Sequence, residues 1–169
     1  MQASFEDFVT TRGEALVRFA VMLCADRGRA EDLVQTALIK TYPRWDRVAG
    51  MEHPEAYVRT VLVHEHLRWW RRRPSHEIPA EIAEDDLPDR TDGAARHAER
   101  DEVWRLLGRL PRRQRAVLVL RFYEDLDDRE IARVLGCGES TVRSQAARAL
   151  ATLRADLGPA ITTHRRALP

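Results

Sequence analysis

Apolar residues recur at three- and four-residue steps along most of the chain, which is the period of an α-helix with one buried face. In the N-terminal half this pattern predicts a first helix over residues 4–24 and a second over residues 30–42, which a proline ends. A third helix is predicted over about residues 54–72, with Pro54 in its first turn. Between the second and third helices, residues 44–53 are expected to form a loop.

The C-terminal half repeats the helical period in shorter segments. It predicts helices over residues 103–107, 114–122, 128–135 and 140–154. Gly136 lies between the last two, where a glycine with positive φ allows a helix to end in a tight turn. Because no alternating strand pattern competes, the expected fold class is all-α, with two small helical bodies.

The segment between the two helical halves has a different composition. Residues 77–102 carry ten acidic residues against three arginines, and three prolines interrupt residues 74–98. Such a segment cannot bury enough apolar surface to fold alone. We therefore expect a first domain over residues 1–73, an acidic flexible linker over 74–98, a second domain over 99–157 and a C-terminal tail over 158–169. The two domains are expected to act as separate modules.

Charge and cysteine content restrict the possible functions. The 169 residues have a formal net charge of only +1, but this value is a cancellation of the acidic linker by basic segments on either side. Cys24 and Cys137 are far apart and lie in no CxxC pair, so neither a disulfide framework nor a zinc site is expected. No signal peptide or run of roughly 20 apolar residues is found, so we expect a cytoplasmic protein without membrane insertion. No cofactor or metal is expected.

The last two predicted helices have the spacing of a helix-turn-helix. On a helical wheel of the longer one, the apolar side chains share one face: Val142, Ala146, Ala149, Leu150 and Leu153. The opposite face is polar: Thr141, Ser144, Gln145 and Arg148, with Arg143 beside it. Arg and Gln on such a face can pair bases in the major groove, and Ser or Thr can hold phosphate. The alternative is an ordinary helical hairpin with a solvated polar face.

Several segments resemble a known family. The N-terminal half contains AEDLVQTA at residues 30–37, PEAYVR at 54–59 and WWRRR at 69–73. The C-terminal half contains RFYEDL at residues 121–126 and TVRSQ at 141–145. In this order the motifs resemble regions 2 and 4 of the extracytoplasmic-function sigma factors of bacterial RNA polymerase, and most nearly the actinobacterial subgroup called the SigE family.

The resemblance implies a function and its partners. Members of the family bind core RNA polymerase and direct it to specific promoters, and an anti-sigma factor sequesters some of them. We therefore expect a protein that is a monomer when free, with core RNA polymerase and promoter DNA as partners.

The resemblance also implies contact residues. The core-polymerase set is Asp32, Gln35, Thr36 and Lys40. The set for the minus-ten element, where a base is flipped into a pocket, is Trp45, Asp46, Met51, His53, Arg59, Trp70 and Arg71. The set for the minus-thirty-five element is the polar helix face, Thr141, Arg143, Ser144, Gln145 and Arg148.

Each of these assignments has a plain structural alternative. The core-polymerase set also fits a solvated helix face, and the 44–53 segment also fits a connecting loop with a packed Trp45. Trp69 shares a face with Val58 and Leu62, so core packing is expected for it. The sequence also departs from the family at His64, where many members have Asn, and at Arg68, where many have Asp. Minus-ten contacts are not carried over to those two positions.

The sequence bears on two other function classes, an enzyme and a DNA-binding repressor or activator. An enzyme is not expected, because His64-Glu65-His66 lacks the HExxH spacing of zinc hydrolases and no nucleophile or phosphate-binding motif is found. A helix-turn-helix repressor or activator shares the C-terminal signal, but it needs a sensor or dimerisation domain in place of the N-terminal half. Such a protein would dimerise and ignore core polymerase.

Overall fold

The computed structural model describes residues 4–71 and 105–157, and within these ranges it contains helices and connections but no strand. Four α-helices and one short 3₁₀ turn form the N-terminal body: α1 (Phe5–Cys24), α2 (Arg27–Thr41), the 3₁₀ turn (Tyr42–Arg44), α3 (Trp45–Ala49) and α4 (Pro54–Arg71). Four more helices form the C-terminal body: α5 (105–109), α6 (Arg112–Phe122), α7 (Asp128–Leu135) and α8 (Glu139–Leu157). The all-α fold class is confirmed. The predicted linker and tail lie outside the described residues.

The N-terminal helices begin where side chains can cap them. The Ser4 hydroxyl accepts a hydrogen bond from the backbone N–H of Asp7 at 3.1 Å, and the Asp26 carboxylate accepts one from Arg29 at 2.8 Å. Pro54 is the first residue of α4, as predicted. The predicted loop over residues 44–53 is wrong in its first half, because α3 occupies Trp45–Ala49. Trp45 and Val48 are buried on one face of this short helix, and their burial outweighs the loop-like composition of residues 44–53.

The helix-turn-helix forms as predicted. Asp127 and Glu130 exchange hydrogen bonds between side chain and backbone and so make a capping box at the start of α7. Gly136 ends α7 with a φ of 63°, the left-handed conformation that glycine adopts without strain. The Cys137 N–H then returns to the carbonyl of Ala132 at 3.0 Å. Because the turn is fixed by these bonds, α8 leaves it in a defined direction.

Each body has a buried centre of apolar side chains. In the N-terminal body, α1 packs on α2 and α4, and Leu16, Phe19 and Leu62 are fully buried between them. In the C-terminal body, α6 and α7 pack on α8 around Ile131 and Val142, which are also fully buried. Within the described residues, no helix is long and apolar enough to cross a membrane.

The two bodies pack against each other, which the sequence analysis did not anticipate. Helix α1 contacts α6, and α4 contacts both α6 and α7, so the buried apolar side chains form one continuous core. Arg115 of α6 crosses the boundary and donates a hydrogen bond to the carbonyl of Leu23 in α1 at 3.1 Å. In this arrangement the two bodies are packed together, whereas the sequence led us to expect separate modules. A pattern of local periodicity contains no information about which helix faces meet across a linker.

A buried polar pair lies beside this boundary. The Cys24 thiol and His66 Nδ1 are 3.6 Å apart, and His66 is only 3% exposed. Burial, together with the nearby Arg115 cation, lowers the pKa of His66 to about 3. Burial also raises the pKa of Cys24 to about 12, so this thiol stays protonated and unreactive at neutral pH.

His66 should make stability depend on pH. Its pKa is about 3 in the folded state and 6.5 in the unfolded state, so the unfolded state binds more protons between these values. Stability is then lost as the pH falls from 6.5 towards 3, by about 1.4 kcal/mol per pH unit. At pH 7, His66→Leu should lower the free energy of unfolding. As the pH falls from 6.5 towards 3, this difference from the wild type, measured by urea unfolding, should therefore shrink at the same rate. The penalty of Leu62→Ala, an equally buried site that does not titrate, should stay constant. A constant penalty for His66→Leu would contradict this account.

Candidate nucleic-acid interface

Helix α8 has the two faces that the sequence predicts. Val142, Ala146 and Ala149 are buried against α6 and α7, whereas Ser144 and Arg148 are exposed. The remaining three polar residues of the predicted set fall into two groups. Arg143 is exposed but lies 3.8 Å from the Asp128 carboxylate and 3.7 Å from that of Glu139. Thr141 and Gln145 are half-buried, because they turn towards α6.

A groove of about 980 Å³ separates the helix-turn-helix from α4, and we call it the interbody groove. Its lining comes from both bodies: His64, Glu65, Leu67 and Arg68 on one side, and Pro111, Arg112, Arg113, Arg133, Val134, Leu135, Gly136 and Gln145 on the other. At its edge, His64 Nε2 donates a hydrogen bond to the carbonyl of Val134 at 2.7 Å. Gln145 thus faces the N-terminal body, and His64, where the sequence departs from the family, contacts the C-terminal body.

The predicted core-polymerase set lies along α2. Asp32 and Gln35 are exposed, while Thr36 donates its hydroxyl to the carbonyl of Asp32 at 2.8 Å. Lys40 is not available as a free cation, because its Nζ lies 2.6 Å from the carboxylate of Glu65 in α4. The predicted set is therefore partly exposed and partly used within the protein.

Two exposed apolar residues on this surface were missed by the sequence analysis. Ile39 is 72% exposed and Tyr42 is 60% exposed. With Asp32 and Gln35 they stand at steps of three and four, so the four residues form one exposed stripe, which we call the α2 stripe. The signal was present in the sequence as apolar residues outside the buried face of the helix. An exposed apolar group on a helix marks a surface for a partner more strongly than its polar neighbours do.

The structure divides the predicted minus-ten set. Trp45 is 8% exposed and its ring packs against Phe5 at 5.3 Å and Phe8 at 4.8 Å, so the alternative of a packed tryptophan is confirmed. Asp46 and His53 are exposed, and Met51 is half-buried against the core. The backbones of Trp70 and Arg71 end α4, and their side chains lie outside the described part.

Arg59 is engaged by the C-terminal body. Its guanidinium pairs with Glu55 one turn earlier and with Glu124 of the opposite body, and it lies 5.4 Å over the ring of Phe19 and 5.6 Å over that of Tyr123. Burial raises the pKa of Glu124, and the charge of Arg59 partly opposes that rise. In this arrangement Arg59 stabilises the packing of the two bodies.

Trp69 differs from the expectation of core packing. It is 39% exposed, and the Arg29 guanidinium lies 5.3 Å from its ring centre. Trp69 lies in the last turn of α4, where its ring is partly exposed although it shares a helical face with the buried Val58 and Leu62.

A smaller cavity of about 430 Å³ lies beside Arg59. It is lined by Phe8, Arg12, Glu52, His53, Pro54, Glu55, Ala56, Arg59 and Glu124. It brings His53 and Arg59 of the predicted set together, while Asp46 and Met51 do not line it.

Comparison with known proteins matches both bodies to one family. The family described as Sigma-70 region 2 matches residues 8–75, and Sigma-70 region 4 matches residues 100–153. The chain is 42% identical to the RNA polymerase sigma-E factor of Streptomyces avermitilis, over 90% of this chain and 84% of that protein. The chain belongs to the RNA polymerase sigma factor family. It is thus a sigma factor, which binds core RNA polymerase and directs it to promoters.

Other relatives agree with this membership. The sigma-E factor of Streptomyces coelicolor is 40% identical over 90% of this chain and 85% of that protein. A Streptomyces griseus relative, described as the ECF RNA polymerase sigma factor ShbA, is 32% identical over 74% of this chain and 70% of that protein. Among solved structures, the sigma factor RpoE of Bartonella quintana, crystallised with the anti-sigma factor NepR, has the same fold. The TM-score is 0.65 at 23% identity, over 89% of this chain and 94% of that chain. The match to region 2 disfavours a repressor that lacks it.

The Arg59–Glu124 pair should contribute to stability as a unit. Glu124→Leu leaves the half-buried Arg59 with one partner fewer and should lower the free energy of unfolding by roughly 1–3 kcal/mol. Arg59→Met combined with Glu124→Leu should recover at least half of that loss in urea unfolding, because no unpaired charge remains. Glu14→Gln, which breaks the exposed Glu14–Arg18 pair, is the control and should cost less than about 0.5 kcal/mol. Additive losses in the double variant would contradict this interpretation.

Proposed function

We propose that α8 reads the minus-thirty-five element with the residues on its exposed polar side, above all Ser144 and Arg148, and with Gln145 once it is accessible. The supporting observation is the placement of α8: its apolar face is buried, while Ser144 and Arg148 on the opposite side are exposed. Arg148 has a forked guanidinium suited to guanine, and the amide of Gln145 suits adenine.

Reading by Gln145 requires the two bodies to move apart. The interbody groove of about 980 Å³ is far too small to hold a DNA duplex. A recognition helix reads bases only when it lies inside the major groove, with the duplex around it. Gln145 lines this groove, so duplex DNA reaches it only after α4 leaves. Arg148 and Ser144 are already exposed. We therefore propose that promoter binding and separation of the bodies are coupled.

We further propose that the α2 stripe docks on core polymerase and that Asp46 and His53 contribute to minus-ten recognition. The stripe combines an exposed aliphatic residue, an exposed aromatic residue and two polar residues on one helical face, which is the composition of a helix that packs into a partner's groove. We also propose that the chain catalyses no reaction itself, that it acts in the cytoplasm, and that domain boundaries near residues 73 and 99 hold in solution.

The reading face is tested by selection of promoter sequences. Arg148→Ala and Gln145→Ala should each cost roughly 1–3 kcal/mol at the base they pair and relax preference there, as measured by binding of a randomised minus-thirty-five library to holoenzyme. Arg154→Ala, an exposed arginine in the last turns of α8, should leave the selected sequences unchanged.

A different pattern is expected for the buried face. Val142→Asp puts a charge at a fully buried position, so it should unfold the C-terminal body instead of changing preference selectively. If Arg148→Ala and Gln145→Ala fold normally and select the same sequences as the wild type, the assignment is refuted.

The α2 stripe is tested by core-polymerase binding. Ile39→Asp should weaken the complex roughly tenfold or more, because an apolar anchor is replaced by a charge that must lose its water on binding. The unfolding free energy should hardly change, since Ile39 is exposed. Thr10→Asp introduces the same charge at an exposed position of α1 and serves as the control. Equal affinities of both variants and the wild type, measured by fluorescence anisotropy, would exclude the stripe as the docking surface.

A further inference from the structure

The interbody groove is unusually rich in positive charge. Four arginines line it, Arg68 from α4, Arg112 and Arg113 from the start of α6, and Arg133 from α7. Within residues 4–71 and 105–157, the acidic residue that lines the groove is Glu65. That carboxylate is already held by Lys40 at 2.6 Å, and Arg68 lies 3.9 Å from it. Within the described part of the chain, this carboxylate therefore compensates Lys40 and Arg68 and lies in no ion pair with Arg113 or Arg133.

Two of these arginines have no visible internal role. Among the residues that the structure describes, Arg113 and Arg133 form no ion pair and no side-chain hydrogen bond, and both are exposed at the groove. They belong to different helices, α6 and α7, and so approach the same space from two directions. Like charges that converge on a concave surface repel each other unless an anion lies between them.

We propose that the interbody groove is a binding site for an oligophosphate anion. Guanidinium groups pair with phosphate through two parallel hydrogen bonds, which favours phosphate where several arginines converge. A volume of about 980 Å³ is within the range of small-molecule sites and excludes a duplex. Among the described residues that line the groove there is no Phe, Tyr or Trp ring, so we infer recognition through phosphates instead of a stacked base.

The position of the site gives binding a consequence. Arg68 belongs to the N-terminal body and Arg113 to the C-terminal body, so a bound anion joins the two bodies and favours the packed arrangement. Gln145 lines the same groove, and an occupied groove keeps it from a promoter. This consequence, unlike the binding itself, rests on the proposed function of α8.

The site is tested with the full chain and sodium tripolyphosphate in isothermal titration calorimetry. Arg113→Ala and Arg133→Ala should each weaken binding roughly tenfold or more, since each removes a charged hydrogen-bonding group. Arg129→Ala removes an exposed arginine from the same helix as Arg133 but outside the groove, and it should change the affinity less than twofold. Urea unfolding of each variant checks that the fold is intact.

Two further ligands complete the test. An oligodeoxynucleotide distinguishes a nucleic-acid backbone from a free oligophosphate, and hexaglutamate distinguishes phosphate from other anions. A short single-stranded oligodeoxynucleotide that binds with the same dependence on Arg113 and Arg133 supports the proposal and identifies a nucleic-acid backbone as the source. Tripolyphosphate binding alone supports a free oligophosphate. Hexaglutamate that binds as tightly as tripolyphosphate, or an equal loss in Arg129→Ala, overturns the proposal, because the attraction is then one of charge alone. No binding of any phosphate ligand overturns it as well.

Anion binding and its proposed effect on promoter binding can be refuted independently. Competition is measured as displacement of a minus-thirty-five duplex from the holoenzyme by tripolyphosphate. If calorimetry detects binding but the duplex is not displaced, the site stands and its link to α8 is refuted. If Arg148→Ala leaves promoter selection unchanged, the reading face is refuted while the calorimetric result is unaffected.

Discussion

The arrangement of this sigma factor depends on one buried cation. The Arg115 guanidinium, 6% exposed, donates one hydrogen bond to the carbonyl of Leu23 in α1 and two to the carbonyls of Gly108 and Leu110 ahead of α6, each at 3.1 Å. Burial lowers its pKa to about 10, so it remains charged at neutral pH. The carbonyls at the C-terminal end of a helix carry partial negative charge and lack helical partners. Arg115 supplies the missing donors, and in doing so it fixes the end of one body onto the other.

Other contacts follow from that fixed boundary. With α6 held against α1, Glu124 at its end reaches Arg59 of α4, and α7 comes close enough for Val134 to accept a hydrogen bond from His64. The interbody groove is the space left between these contacts. The packed arrangement thus uses residues of both bodies, and the half-buried Gln145 lines the groove between them.

The surfaces assigned to the partners differ in how they are made. The α2 stripe lies on α2 and on the first residue of the 3₁₀ turn that follows it, so its existence depends on local helical periodicity and on which side the core covers. The reading face of α8 lies on one helix, but its accessibility depends on the distance to α4. The interbody groove exists only where two bodies meet. Of these surfaces, the interbody groove is the one that forms when the two bodies pack together and is lost when they separate, because distant parts of the chain build it.

The sequence alone determined the helices other than α3, the turn at Gly136 and the buried face of α8, because each depends on residues within a few positions of one another. It also carried the ordered motifs that the family shares. Only the tertiary structure decided that Trp45 is packed, that Trp69 is exposed and that Arg59 pairs with the other body. These outcomes depend on which helix covers which, and such contacts join residues that are far apart in the chain, where periodicity gives no information.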